Sequence, residues 1–184
     1  MWPLVPIIGL ALLLAWSTDT EASMTRQDED DDSPPGEWFS WKELQTTSTG
    51  LPNVAPPAAR ANLRRLVADV LDPLRSIIGQ PVRVGSAYRS PAVNKAIGGA
   101  EGSQHQQGLA ADLRVDGATS ADVAALIVSY SLPFDQLVVY EPESGKRHTH
   151  VSIARAGVEP RGQILVYDGR TYTEITASEL LESL

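Results

Sequence analysis

The chain has 184 residues, no cysteine and a formal net charge of −8. That length suits one domain with a leader and tails, and it can bury a core without staples. The absent cysteine excludes disulfides, thiolate metal sites and a cysteine nucleophile, so a bound zinc must be held by His and carboxylate; the acidic balance argues against nucleic acid, whose phosphates call for clustered Lys and Arg.

In chain order, Trp2 to Trp16 is apolar and uncharged, too short for a comfortable membrane span. It reads as the core of a secretory signal, with Ala22 and Ser23 near a cleavage point, although no Lys or Arg precedes it. Residues 1–23 are therefore expected to be a signal peptide or short membrane anchor, with Met24 as an alternative start. Residues 24–36 carry the acidic run Asp28 to Asp32 and end in Ser33-Pro34-Pro35-Gly36. This is the composition of a disordered linker. The folded domain is expected over 37–184.

Trp38, Phe39 and Trp41 form a dense aromatic cluster, read as a segment packing on the core. After Pro56-Pro57, Leu63, Leu66, Val67, Val70, Leu71 and Leu74 recur at steps of three and four, one apolar helix face. Arg60, Arg64 and Arg65 fall on its other faces and are expected to be solvated. Pro73 should kink or restart that helix, and Gly79 should cap it. Val82 to Ser86 reads as a strand and Pro91 to Ala96 as a short helix ending at Gly98-Gly99. Ala110 to Val115 is the next strand, followed by a helix from an N-cap at Ser120 to Tyr130. Gln136 to Tyr140 and Thr149 to Ile153 are further strands. Gln163 to Tyr167 and Thr171 to Ile175 flank a turn at Asp168-Gly169. Thr176 and Glu179 have capping-box spacing for a last helix. Strands and helices mix without regular alternation, so the fold class is α+β.

The chemistry concentrates on His105, His148 and His150, the three histidines of the chain. His148 and His150 are two apart on an expected strand and share a face. Asp112 follows His105 by seven positions, across a glycine turn and into a strand. His105, Asp112 and one of the later pair supply two nitrogens and one oxygen, and three protein ligands with an open fourth position is the pattern of a catalytic zinc. An H-x-H pair on a strand also occurs without metal.

The stretch Ser103-Gln104-His105-Gln106-Gln107-Gly108-Leu109-Ala110-Ala111-Asp112, followed later by His148-Thr149-His150, resembles the zinc D-alanyl-D-alanine carboxypeptidase-like peptidases. These include phage endolysins and relatives of the hedgehog signalling domain. Trp38 to Leu44, Asn62-Leu63-Arg64, Leu71 to Arg75, Ser86 to Asn94 and Phe134 to Leu137 extend the likeness, which covers about Trp38 to Ile153. It implies a small antiparallel sheet with flanking helices, and a zinc peptidase cutting peptidoglycan stem peptides as a D-Ala-D-Ala carboxypeptidase or an L-Ala-D-Glu-type endopeptidase.

Under that resemblance His105, Asp112 and His150 bind zinc, and His148 stabilises the oxyanion or serves as a fourth ligand. Arg89 holds a substrate carboxylate, with a structural ion pair as its alternative. Ser103 orients the loop or a ligand. Several relatives place Glu or Asp three positions before the last zinc His, where this chain has Arg147. Glu141 is therefore expected as general base, with Glu143 second. Asp116, Asp122 and Asp135 are expected in caps or turns. The expected protein is a monomer, exported or membrane-anchored facing the cell wall, or phage-encoded and cytoplasmic or virion-associated if Met24 is the start. A zinc-stabilised wall-binding or virion module without turnover is the rival reading. A serine hydrolase using Ser103 lacks the Gly-x-Ser-x-Gly elbow.

Overall fold

The computed structural model describes residues 33–184. The expected leader, and the linker as far as residue 32, lie outside the described residues. The folded unit begins at Pro34, ahead of the expected Glu37. Pro35 is buried, Gly36 packs so closely on Val67 and Asp72 that a Cβ there would collide with both, and the Asp72 carboxylate accepts from the backbone of Glu37 and Trp38.

The aromatic cluster divides. Phe39 enters the core, while Trp41, opening helix α1 (Trp41–Leu44), lies half-buried beneath Arg60 and Arg64. Trp38 stays exposed against Arg75. Arg60 and Arg64 are thus stacked on indole rather than simply solvated, and Arg65 reaches the Ala154 carbonyl.

Helix α2 (Pro57–Leu66) starts on a proline at its first turn, where no N–H is needed. It buries Leu63 and Leu66 and passes into a π-helical turn at Val67–Leu71. Pro73 explains the widening: it has no N–H to give and its ring crowds the preceding turn, so the chain takes up one extra residue there. Helix α3 (Asp72–Ile78) then ends at Gly79, which is left-handed at φ 69°.

A sheet of six strands follows, in the order β1-β2-β4-β3-β5-β6. The strands are β1 (Val82–Ser86), β2 (Ala110–Val115), β3 (Gln136–Tyr140), β4 (Thr149–Ser152), β5 (Gln163–Tyr167) and β6 (Tyr172–Ile175). Every pairing is antiparallel except β3 with β5. That exception follows from connectivity. β4 ends beside the start of β3, and residues 153–162 carry the chain to the free edge of β3 at that same end, where Gln163 donates to the Asp135 carbonyl.

Helix α4 (Pro91–Ala96) follows β1, and α5 (Ser120–Ser129) packs on β3 and β4. The N-cap of α5 is Thr119, not Ser120: Thr119 and Asp122 form a reciprocal capping box. Helix α6 (Ala177–Glu182) has the expected box between Thr176 and Glu179. One face of the sheet carries Leu113, Leu137, Val139 and Val151 into the core shared with α2 and α5. The alternate residues of the same strands face away from that core, and there the histidines gather. Among the described residues no helix is long and apolar enough to cross a membrane.

Candidate metal centre

Register brings the site together. Asp112 on β2 lies directly opposite His150 on β4, and His150 opposite Val138 on β3. Directly paired residues point to the same face with Cβ atoms about 5 Å apart, so two candidate ligands are neighbours by strand pairing alone.

His105 arrives from a single 3-10 turn, Gln104–Gln107, that leads into β2. The turn ends at Gly108, where φ is +70° and a Cβ would meet the Ala59 carbonyl oxygen at 2.3 Å. Only glycine serves there, because the backbone must be left-handed and press on α2 together. His105 is held from both sides: its carbonyl accepts from the Arg89 backbone N–H, and its Nδ1 lies 2.7 Å from the Ala87 carbonyl oxygen. A carbonyl can only accept, so Nδ1 carries the proton and Nε2 keeps its lone pair.

That nitrogen lies close to two more polar atoms. His105 Nε2 is 3.2 Å from His150 Nδ1 and 3.3 Å from Asp112 Oδ1, and His150 Nδ1 is 3.0 Å from Asp112 Oδ1. Zinc bonds of about 2.0–2.1 Å in a tetrahedron put neighbouring donors about 3.3 Å apart. The three atoms therefore have the spacing of three tetrahedral ligands, drawn together on one carboxylate oxygen. The residues present fit zinc, and these three are the group among the described residues able to hold a metal.

His148 stands beside this triangle. It precedes β4, its Nε2 is 4.0 Å from Asp112 Oδ1, and its ring packs on Tyr140 at 4.5 Å. That wider separation sets it apart from the ligand group. Its carbonyl accepts from Ser120 Oγ, which explains why Ser120 is buried inside the first turn of α5 rather than capping it.

Arg89 is half of an ion pair. One guanidinium nitrogen contacts Asp112 Oδ2 and its Nε donates to Ser86 Oγ. Asp112 is thereby fixed with Oδ2 turned to the arginine and Oδ1 to the histidines. Burial acts first on these groups. It lowers the His105 pKa and that of His148, so both imidazoles are neutral at neutral pH. Burial alone would raise Asp112, but its contacts with His105 and His150 outweigh that and hold its carboxyl well below the usual range.

Above the triangle is a cavity of about 480 Å³, lined by Arg89, Ser103, the three histidines, Asp112, Tyr140, Lys146, Leu165 and Tyr172 among others. Ser103 thus sits on the cavity loop and not in the ligand group. Glu141 and Glu143, the expected candidates for the base, do not line this cavity. The reason is alternation. Gln136, Val138 and Tyr140 of β3 face the metal cavity, so the next residue, Glu141, turns the other way and lines a neighbouring cavity between α5, β6 and α6, which shares Tyr140 and Lys146 with the first. Glu143 is exposed on the 3-10 turn Pro142–Ser144. The expected turn aspartates also resolve: Asp116 pairs with Arg83 and Asp122 caps α5, whereas Asp135 is a buried ion-pair residue.

Tyr140, Lys146, Tyr172 and Ser120 were not singled out for the site by the sequence. The strand pattern could have pointed to Tyr140, which has the parity of Val138 on β3; the others depend on contacts remote in sequence. Residues 39–152 match the family model described as Peptidase M15. No curated protein matches the chain.

Proposed function

Because this chain belongs to the Peptidase M15 family of zinc metallopeptidases, we propose that it hydrolyses peptidoglycan stem peptides, either as a D-Ala-D-Ala carboxypeptidase or as an L-Ala-D-Glu-type endopeptidase. The observation that carries this reading is the triangle of His105 Nε2, Asp112 Oδ1 and His150 Nδ1, spaced at 3.0–3.3 Å beneath an open cavity. His105, Asp112 and His150 would hold zinc there, which would supply Lewis-acid chemistry for the scissile carbonyl and the attacking water.

The protein's own groups supply the rest. His148 Nε2 faces the triangle and is neutral at neutral pH. It takes up the proton of the attacking water and can return it to the leaving amine. Arg89 keeps Asp112 in its one-oxygen orientation, and the Ala87 carbonyl does the same for His105. A cell-wall substrate suits a protein exported or membrane-anchored facing the wall, with residues 1–23 as signal or anchor, or a phage-encoded one that begins at Met24.

One observation favours a second reading. Among the described residues no carboxylate besides Asp112 lines the metal cavity, which suits a zinc-stabilised binding module without turnover. Mass spectrometry of peptidoglycan treated with the zinc-loaded protein separates the two. New peptide termini that vanish with a chelator are the expected result, and their identity names the bond. Bound zinc with no new termini sinks the peptidase reading and favours the module.

A further inference from the structure

The metal row of the sheet runs Asp112, His150, Val138, Leu165 across β2, β4, β3 and β5. Two residues along each strand, on the same face, lies a parallel row. Tyr140 pairs in register with Tyr167, and Tyr167 with Tyr172. The rings touch: Tyr140 and Tyr167 are 5.9 Å apart edge to face, Tyr167 and Tyr172 4.5 Å. His148 packs on the inner end of this row.

Lys146 lies over it. Its Nζ is 4.5 Å from the Tyr140 ring centre and 5.1 Å from that of Tyr167. Two aromatic faces hold the ammonium in place by cation–π attraction without neutralising it, and among the described residues it makes no ion pair. The other cation lining the cavity, Arg89, is already engaged by Asp112. Lys146, Tyr140, Leu165 and Tyr172 all line the cavity over the metal triangle. Tyr167, Leu165 and Tyr172 come from β5 and β6, beyond residue 152 where the family match ends. This wall is therefore built partly by a segment outside the shared region, as suits selectivity more than the common chemistry.

We infer that Lys146, seated on Tyr140 and Tyr167 with Tyr172 as the outer wall, binds a carboxylate of the peptide substrate and makes the C-terminal hairpin a specificity element. The substrate identity rests on the peptidase reading above; the carboxylate preference rests on the wall itself. The ammonium reaches the metal triangle through successive contacts, 4.5 Å to the Tyr140 ring, 4.5 Å from that ring to His148 and 4.0 Å from His148 to Asp112, a path that a few extended residues at about 3.5 Å each can span. Two carboxylates of a stem peptide are in that range: the free C-terminus, and the α-carboxylate of a γ-linked glutamate.

The test uses the zinc-loaded full chain and three peptides: an acetylated stem pentapeptide, its C-terminal amide, and the version with isoglutamine for γ-linked glutamate. Binding is read as KM where a peptide is cleaved and as a calorimetric Kd where it is not. Lys146→Met is expected to weaken the free-acid peptide about tenfold, the loss of one charge-assisted hydrogen bond at a partly open site, with kcat unchanged. Lys146→Arg should restore it. Whichever neutral peptide shows the same loss with the natural protein identifies the carboxylate that is read. Tyr172→Leu should weaken the acid peptide less than Lys146→Met does. Cleavage that treats acid and neutral peptides alike, with no effect of Lys146→Met, overturns this inference and leaves the peptidase standing. A difference in Kd erased by Lys146→Met, without any cleavage, supports the inference and overturns the peptidase.

Discussion

Asp112 and Asp135 are buried to nearly the same degree, 8% and 6% exposed, and each meets an arginine, yet they are finished differently. At Asp135 both oxygens are consumed. Oδ1 accepts from the Arg161 backbone N–H; Oδ2 accepts from the Arg161 guanidinium and from Gln104 Nε2. At Asp112 the arginine covers one oxygen, and the other faces two imidazole nitrogens that need not be donors. A buried carboxylate closed by N–H groups ties loops together. One left facing imidazole nitrogens that can also ligate is arranged for a cation.

The sharpest way to break this contrast is to remove the proposed zinc ligands. Asp112→Asn, His105→Ala and His150→Ala are each expected to lose stoichiometric zinc by metal analysis and to lower peptidase activity about a thousandfold or more, the scale of several kcal/mol of Lewis-acid stabilisation. Asp135→Asn is expected to keep both. Zinc loss from Asp135→Asn in protein that remains folded would erase the distinction.

His148→Gln sharpens the contrast inside the site. His148 stands 4.0 Å from Asp112 Oδ1, outside the ligand triangle. Its replacement should leave zinc content unchanged and lower kcat about a hundredfold, the usual share of a proton-transfer group. Zinc lost in proportion to activity would make His148 a fourth ligand instead.

Asp135→Asn should show its effect in stability. Arg161 is about half exposed, so solvent screens the pair and the expected loss is about 1–2 kcal/mol by denaturant unfolding. The pH dependence has a defined sign. Burial pushes the Asp135 carboxyl up, but bonds from Arg161 and then Gln104 prevail and hold it below its usual 3.8. A depressed folded pKa gives stability that is fully present above 3.8 and lost as pH falls through the folded value. The natural protein should therefore lose stability more steeply below pH 4 than Asp135→Asn does. Parallel curves would show that the bonds to Asp135 carry no net weight.

Local signals were readable in the sequence and long-range ones were not. Gly79, Pro73 and the Thr176–Glu179 box act through their own neighbours, so each did in the structure what its chemistry implies. The clustering of the candidate ligands was legible because their spacing survives folding: a glycine turn carries His105 back to β2, and strand parity puts His148 and His150 on one side. The cap of α5 moved from Ser120 to Thr119 because both can cap, and a remote contact decided it: Ser120 Oγ is needed at the His148 carbonyl. The pairing of Arg89 with Asp112 and the tyrosine row require knowing which strands are neighbours, and the parallel insertion of β5 beside β3 is not written in any local pattern.

Glu141 is where resemblance and strand geometry disagreed, and it gives the smallest expected effect. Its place at the end of β3 suggested a carboxylate reaching the attacking water. Tyr140 occupies the cavity side of that strand, so the pleat turns Glu141 away. Its backbone N–H is also held by the Tyr167 carbonyl of the adjacent strand, so turning the side chain towards the metal would break β3–β5 pairing near Lys146. Glu141→Ala is accordingly expected to change kcat by less than about twofold, the scale of an exposed substitution, with zinc content and stability unaltered. A hundredfold fall in kcat at unchanged KM and zinc content would mean that β3 rotates on substrate binding, and that the proton passes to Glu141 rather than His148.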